Sequence, residues 1–323
     1  MGALSVDPKS LGGPERVKRT LGNMEANVGY VPGFRRAHAS GVAFRGTFTA
    51  SAGAAALTTA EHMQGDEIAV TVRLSNGAGS PYQSDRVAVL GMAVRFALPS
   101  GDTSEWAALN IEDFPARVPE DFEGLAGAQK KNKKGKPNPL RLGAFIATHP
   151  WCLKGLLAIL KAPTRESFAN TSFNGLHAYY LVDAGGTRHA FRYHWVAVAG
   201  PDDLTIEEGR FVPPQYLVSE MKQRIAGQPA IWDLVFEMAE PGDPTDDMTK
   251  HWPKTRRRVT AGRLVVDRVH EDQDLVDRSM FDPTKVPPGI EVSDDPVLHF
   301  RSESYVESQK RRLSETKPAI VPE

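Results

Sequence analysis

Near the end of the chain, two arginines and a tyrosine are spaced so that they could act together. Arg301, Tyr305 and Arg312 stand at relative positions 0, 4 and 11 in the run 299–312. An α-helix turns by about 100° per residue, so Tyr305 would lie about 40° and Arg312 about 20° around the axis from Arg301. All three side chains could therefore meet one flat ligand on a single helical face.

The chemistry of these residues indicates iron as the partner. A guanidinium one helical turn from a phenol favours the phenolate form of Tyr305, which is a hard anionic ligand suited to ferric iron. Tyrosine is one of the few side chains that hold haem iron from the proximal side. The second arginine could pair with a propionate carboxylate of the same cofactor. An ordinary exposed amphipathic helix would show the same run, and the run alone leaves both interpretations open.

Composition excludes several other classes of function. The 323 residues carry a net charge of −1, so neither nucleic acid nor an anionic membrane surface is predicted as a partner. The single cysteine, Cys152, excludes an intramolecular disulfide and a multi-cysteine metal site. It could serve as a haem thiolate, but a buried structural cysteine is commoner. The sequence has neither a membrane-length apolar window nor a secretory signal, so a cytoplasmic protein is expected.

Strands dominate the first three quarters of the sequence and would have to position the reactive residues. Strand composition or alternation occurs in eight segments: 41–48, 67–75, 88–98, 106–110, 175–182, 188–196, 230–238 and 262–269. Helical patterns occur in four: 119–129, 140–161, 214–225 and 296–315. Two groups of four strands separated by helices favour an α+β fold, an eight-stranded antiparallel β-barrel surrounded by helices, over a parallel nucleotide-binding sheet.

A second informative run lies at 35–41, where the order is Arg, two residues, His-Ala, one residue and Gly. This order resembles a pattern of the haem catalases. The run 72–75 is similar to the Val-Arg-Phe-Ser of that family, with Leu74 in place of the Phe.

Three later segments continue the resemblance in family order. Segments 106–110 and 114–122 resemble the distal Asn and Phe segment of the catalases, and 288–290 followed by 301–305 resembles their proximal Pro-Gly-Ile and Arg-x-x-x-Tyr pattern. The chain thus resembles the haem catalases over nearly its whole length, and specifically the small catalase-related peroxidases. The resemblance implies a single domain over 1–323, built around an eight-stranded barrel, with haem b between the barrel and the helices.

The resemblance also implies a role for individual residues. On the proximal side, Tyr305 would be the axial iron ligand and Arg301 its charge partner. On the distal side, His38 would be the acid-base catalyst, with Ser75 holding its ring and Asn110 beside the bound peroxide. The remaining cofactor contacts would be the propionate-binding arginines Arg35, Arg73 and Arg312 and the distal phenylalanine Phe122.

The implied reaction is the reduction of hydrogen peroxide, and of organic peroxides if they are admitted, through a ferryl intermediate. His38 would move a proton between the two peroxide oxygens, and Asn110 would hydrogen-bond the oxygen that becomes water. A second hydrogen peroxide or a small organic donor would then reduce the iron. The outer regions of large catalases are absent, so NADPH is not expected and the balance should move toward peroxidase activity. Homo-oligomerisation is left open.

Two alternatives remain at this point. Allene oxide synthase-like relatives rearrange fatty acid hydroperoxides with similar residues, but they tend to carry a hydroxyl residue before the distal His, where this chain has Ala37. A haem-binding protein without turnover is the other alternative. It would need only the proximal ligand and the arginines, and not His38 and Asn110.

Overall fold

The computed structural model describes residues 13–28, 31–86, 89–130 and 138–318. Its strands are β1 Gly41–Ala50, β2 Glu67–Asn76, β3 Leu90–Ala97, β4 Thr103–Leu109, β5 Phe173–Asn174, β6 Tyr179–Val182, β7 Arg188–Ala197, β8 Ala230–Met238, β9 Arg258–Val269 and β10 Ile290–Val292. Within these ranges no helix is both long and apolar enough to span a membrane.

Eight of the strands close into an antiparallel barrel. Around the ring the order is β1, β2, β3, β4, β5, β7, β8 and β9, and β9 pairs again with β1. Strand β6 pairs with β7, and β10 pairs with β6, so these two extend the wall outside the ring. The predicted α+β fold with an eight-stranded barrel is confirmed.

Alternation along the strands separates the core of the barrel from its outer face. In β2, Val72 and Leu74 are fully buried in the main apolar core. The alternate residues Arg73 and Ser75 point to the opposite, outer face of the sheet. Aromatic rings fill the interior: Phe48 meets Phe96 edge-on at 5.2 Å between ring centroids. The outward positions of the same strands are therefore available to build a site.

The helices are α1 Gly13–Val28, α2 Ala52–Ala55, α3 Pro119–Ala128, α4 Pro139–Thr148, α5 Cys152–Leu160, α6 Glu208–Phe211, α7 Tyr216–Gly227, α8 Gln273–Arg278 and α9 Pro296–Leu313. Helix α1 packs against α3 and α9 on the outside of the barrel. The patterns that predicted helices at 119–129, 214–225 and 296–315 correspond to α3, α7 and α9.

Two predicted elements are interrupted. The helix predicted over 140–161 is two helices, α4 and α5, because Pro150 has no N–H and forces the preceding residue out of the helical region: His149 has φ −131° and ψ 61°. The strand predicted over 175–182 is reduced to β6 at its end. A Cβ at Gly175 would lie 2.4 Å from the ring of Tyr193, so only glycine fits at this position. The strand predicted over 88–98 is β3, and residue 88 lies outside the described residues.

Candidate active site

A cavity of about 370 Å³ lies between the outer face of the barrel and helices α1, α3 and α9. Its wall combines residues from the loop before β1, from β2, β3 and β4, and from α9. Eight of the nine predicted site residues line it: Arg35, His38, Arg73, Ser75, Phe122, Arg301, Tyr305 and Arg312. The structure therefore brings together residues from segments that are far apart in the sequence.

On the α9 side, a chain of hydrogen bonds ends on the phenol of Tyr305. The Nε and Nη2 atoms of Arg301 donate to its oxygen at 3.1 and 2.7 Å. The Nη1 atom of Arg301 lies 2.8 Å from Nε2 of His177, and Nδ1 of His177 lies 2.7 Å from the carboxylate of Asp295. Because Arg301 is always a donor, Nε2 of His177 is the acceptor and Nδ1 carries the hydrogen. Burial lowers the pKa of His177, and the nearby Asp295 opposes that shift.

Asp295 has two functions in this arrangement. One oxygen, Oδ2, holds His177, and the other, Oδ1, accepts the backbone N–H groups of Val297 and Leu298 at the start of α9. The side chain of Asp295 is therefore both the N-cap of α9 and the last member of the hydrogen-bond chain. This fixes the first turn of the helix that presents Arg301 and Tyr305 to the cavity.

Three arginines converge on the last turn of α8. Arg35 donates to the carbonyl oxygen of Ser279 at 2.8 Å, and Arg312 donates to the same oxygen at 2.6 Å. Arg73 contacts the carboxylate of Asp277 at 3.3 Å. Burial is the main reason that the pKa of Arg35 is lowered and that of Arg312 falls to about 10, and the neighbouring arginines add to both shifts. This cluster has a positive charge in excess of its carboxylates, which suits a dianionic ligand.

His38 is held in an unusual conformation next to the barrel wall. It is the one non-glycine residue in the described ranges with a positive φ, 56°. Its Nδ1 lies 3.0 Å from the hydroxyl of Ser75, and that hydroxyl is 3.4 Å from the carbonyl oxygen of Gly91. If the Ser75 hydrogen points to this carbonyl, Nδ1 must be the donor and Nε2 the basic nitrogen. Burial, with the charges of nearby arginines, lowers the pKa of His38 to about 3.

Asn110 is the predicted site residue that does not line the cavity. Its backbone N–H donates to the carbonyl oxygen of Leu90 at 3.0 Å, and its Oδ1 accepts the N–H of Leu90 at 2.8 Å. Its Nδ2 is buried, with no hydrogen-bond partner in the part of the chain that is described. The cavity wall at the end of β4 is formed instead by Leu109.

The cavity has the properties that a haem would require. The Nε atom of Arg35 and the hydroxyls of Thr20 and Ser304 line it and are buried without a partner among the described residues. A phenol braced by a guanidinium and an excess of buried positive charge are suited to ferric iron and propionates. Cys152 is not part of the wall, and burial raises the pKa of its thiol to about 11. The residues present therefore fit the group through Tyr305 and not through a thiolate.

Sequence reasoning missed several residues of the site. It gave no role to His177, which is separated from Asp295 by 118 positions, so no local spacing could have paired them. It also did not predict α1, which contributes Thr20, Leu21 and Met24 to the cavity.

Comparison with known proteins agrees with this geometry. The chain is 37% identical over 302 residues to a catalase-related peroxidase of Mycolicibacterium paratuberculosis, covering 91% of this chain and 94% of that protein. It is 30% identical over 299 residues to a catalase-related peroxidase of Synechococcus elongatus, covering 91% and 88%. A solved bacterial catalase superposes with a TM-score of 0.79 at 23% sequence identity. The superposition covers 88% of this chain and 58% of that structure.

The family model for catalase matches residues 30–321. The chain therefore belongs to the catalase family, whose haem cofactor and action on peroxide define it as an oxidoreductase. Within that family, its relatives place it in the catalase-related peroxidase subgroup.

Proposed function

We propose that the chain is a haem b-dependent peroxidase with catalase activity, acting on hydrogen peroxide within a single catalase-like domain over 1–323. The observation that carries this proposal is the pair of hydrogen bonds from Arg301 to the phenol of Tyr305, in the same cavity as His38. A passive haem carrier would need no buried neutral imidazole in that cavity.

The cofactor would be held from two directions. Tyr305 would hold the iron through its phenol oxygen, with Arg301 hydrogen-bonded to that oxygen and His177 fixing the guanidinium. Arg35, Arg73 and Arg312 would pair with the two propionates, and Phe122 would line the opposite side. When bound, haem would supply a ferric iron that binds the peroxide and takes up its two oxidising equivalents.

The contribution of the chain is the movement of a proton. His38 is neutral over the physiological range because its pKa is lowered to about 3, so its free nitrogen can accept a proton from one peroxide oxygen and return it to the other. The hydrogen bond to Ser75 and the positive φ hold the ring in one orientation. A small aromatic donor or a second peroxide would then supply the electrons.

Replacement of the proposed ligand tests the cofactor assignment. Tyr305→Phe removes the anionic oxygen but retains the ring, so the purified variant should hold little haem or show a changed Soret band. Tyr82→Phe is the matched control, because Tyr82 is 53% exposed and does not line the cavity. Stoichiometric haem with an unaltered spectrum in Tyr305→Phe would show that another residue binds the iron.

Replacement of the proposed acid-base group tests the chemistry. His38→Ala should still load haem, because the residues that contact Tyr305 are unchanged, but its reaction with hydrogen peroxide should be at least about 100-fold slower. Stopped-flow absorbance of the haem-loaded protein measures this rate. A rate that differs by less than a few-fold would contradict the role of His38.

A further inference from the structure

We propose that the outward face of helix α5, together with the basic segment around it, docks the protein on the surface of an anionic phospholipid bilayer. This surface is separate from the cavity, because no residue of α4 or α5 lines that cavity. Docking at this surface does not depend on the peroxidase reaction.

Helix α5 is held against the rest of the protein by its small residues. Cys152 and Gly155 are the buried residues of the helix. A Cβ built on Gly155 would lie 2.5 Å from the backbone nitrogen of Pro115 and 2.6 Å from the carbonyl carbon of Phe114, so this side of α5 lies directly on the main chain. The close approach fixes the rotation of the helix about its axis and decides which side chains face outward.

The outward face of α5 is aliphatic. Leu153, Leu157 and Leu160 follow at the spacing i, i+4, i+7 and lie within about 60° of one another around the axis, on the side away from Gly155. They are 43%, 40% and 79% exposed, respectively. A surface helix of a globular protein normally presents polar residues at such positions. These three residues are called the leucine face below.

Helix α4, which is separated from α5 by residues 149–151, is also poorly covered. None of its ten residues is buried, and Leu140 in its first turn is 83% exposed. Its one charged residue is Arg141. Two consecutive helices therefore expose aliphatic side chains that nothing in the described part of the chain covers.

The charges in this part of the sequence are all positive. Residues 124–165 include nine of the 39 lysines and arginines and none of the 40 aspartates and glutamates. Five of the nine are lysines at 130–136, and all but Lys130 lie outside the described residues. The other four are Arg141, Lys154, Lys161 and Arg165. The net charge of −1 averages over this asymmetry, and the segment by itself attracts an anionic surface.

The lysines of α5 flank the leucine face. Lys154 and Lys161 lie about 20° from each other and about 80° around the axis from the centre of that face. Lys154 contacts Asp113 at 2.7 Å, but its side chain is still 64% exposed, and Lys161 is exposed. Lysines beside an apolar helical face lay their apolar stems along a membrane interface and keep their ammonium groups at the level of the lipid phosphates.

This combination fits an anionic bilayer better than a second copy of the chain. A two-fold contact would bring the same face of both copies together, and with it two segments of nine positive charges each. Like charges opposed in this way disfavour association. An acidic protein surface would match the charge but offers no continuous apolar layer for the leucines. A bilayer supplies both, because its headgroups are anionic and its acyl boundary accepts aliphatic side chains to a depth of about 5–10 Å.

The test is co-sedimentation of the full-length protein with lipid vesicles. Vesicles of phosphatidylcholine alone are compared with vesicles of phosphatidylcholine and phosphatidylglycerol in equal parts. The anionic vesicles should bind at least about tenfold more tightly, because each lysine or arginine near an anionic surface is worth about fivefold in affinity. Salt at about 1 M, where the screening length is about 3 Å, should remove most of this preference.

Two variants separate the apolar and the charged contributions. Leu160→Asn should weaken binding to anionic vesicles by at least about tenfold, because burial of one leucine side chain is worth about that factor or more. Lys161→Gln should weaken it by about fivefold. The matched controls are Leu275→Asn on α8, where Leu275 is 60% exposed, and Lys222→Gln at an exposed position of α7. Both controls should bind the vesicles as wild type does.

Other results would overturn the proposal. Equal binding to neutral and anionic vesicles, or binding to neither, would exclude docking on an anionic bilayer. A dimer of wild type that becomes a monomer in Leu160→Asn, measured by sedimentation velocity, would assign the leucine face to a second copy. Binding to polyglutamate that is as tight as binding to anionic vesicles and unchanged in Leu160→Asn would assign the segment to an acidic protein. The vesicle assay uses no peroxide, so a protein without peroxidase activity would contradict the proposed function and leave this test unaffected.

Discussion

Gly91→Ala is expected to disable the site through one added methyl group. The new Cβ would lie 2.6 Å from Cε1 of His38 and 3.1 Å from the hydroxyl of Ser75. Carbon atoms in contact are separated by about 3.5 Å, so the imidazole must move by about 0.9 Å. That movement lengthens the 3.0 Å hydrogen bond from Nδ1 to Ser75 and misplaces the basic nitrogen. A misplacement of about 1 Å costs up to about 100-fold in rate.

The assay for Gly91→Ala is the stopped-flow rate with hydrogen peroxide and with cumene hydroperoxide, together with haem content. Both rates should fall by about 100-fold with the Soret band retained, because Gly91 does not contact the Arg301 and Tyr305 side of the cavity. Gly143→Ala is the matched control: a Cβ at Gly143 in α4 meets nothing within 4 Å. It should leave the rates unchanged and stabilise the helix by up to about 1 kcal/mol. Rates within a few-fold of wild type in Gly91→Ala would refute the geometric argument.

Three other outcomes are expected. With a pKa of about 3 when folded and about 6.5 when unfolded, buried His62 makes the protein lose about 2 kcal/mol of stability between about pH 8 and about pH 5, because the unfolded state binds the extra proton. In His62→Leu, the free energy of unfolding measured by denaturant melts should fall by about 2 kcal/mol less over the same pH range. The same pH dependence in the variant and in wild type would contradict this expectation. Asp272→Ala removes only the N-cap of α8 and should lower the free energy of unfolding by about 1 kcal/mol. Asp295→Ala should lower it by more, because it also removes the hydrogen-bond partner of His177. Equal losses of unfolding free energy in the two variants would exclude this second contribution. With both reductants present, an aromatic donor should be oxidised faster as its concentration rises while oxygen release falls, and oxygen release that no donor suppresses would exclude a peroxidase reaction.

The fold was largely predictable because strand alternation is strong and local. All eight predicted strand segments overlap a strand of the described structure. Seven of these strands belong to the barrel; the segment 175–182 overlaps β6 outside the ring, and the two-residue barrel strand β5 was not predicted. Helix α1 was missed although Val17, Leu21 and Met24 recur at helical spacing within Gly13–Val28, so its signal was present in the local sequence. Its apolar face packs on α3 and α9.

The motif matches selected nine site residues, and eight of them line the cavity. Asn110, which follows the last residue of β4, stays a prediction: it is not in that lining, and its buried Nδ2 has no hydrogen-bond partner among the described residues. The pairing of His177 with Asp295 could not be predicted from a local pattern, since only the closed barrel brings these residues together.

The positive cluster connects folding of the chain with binding of its cofactor. Arg35, Arg73 and Arg312 are held mainly by backbone carbonyls and by the carboxylate of Asp277, so their charges are not balanced within the protein. Burying unbalanced charge is destabilising, and a ligand with two carboxylates would supply the missing counter-charge. Any ligand that binds only the folded state stabilises it in proportion to its binding free energy. A dianionic ligand bound at these three arginines would therefore stabilise the folded chain as well as occupy the cavity.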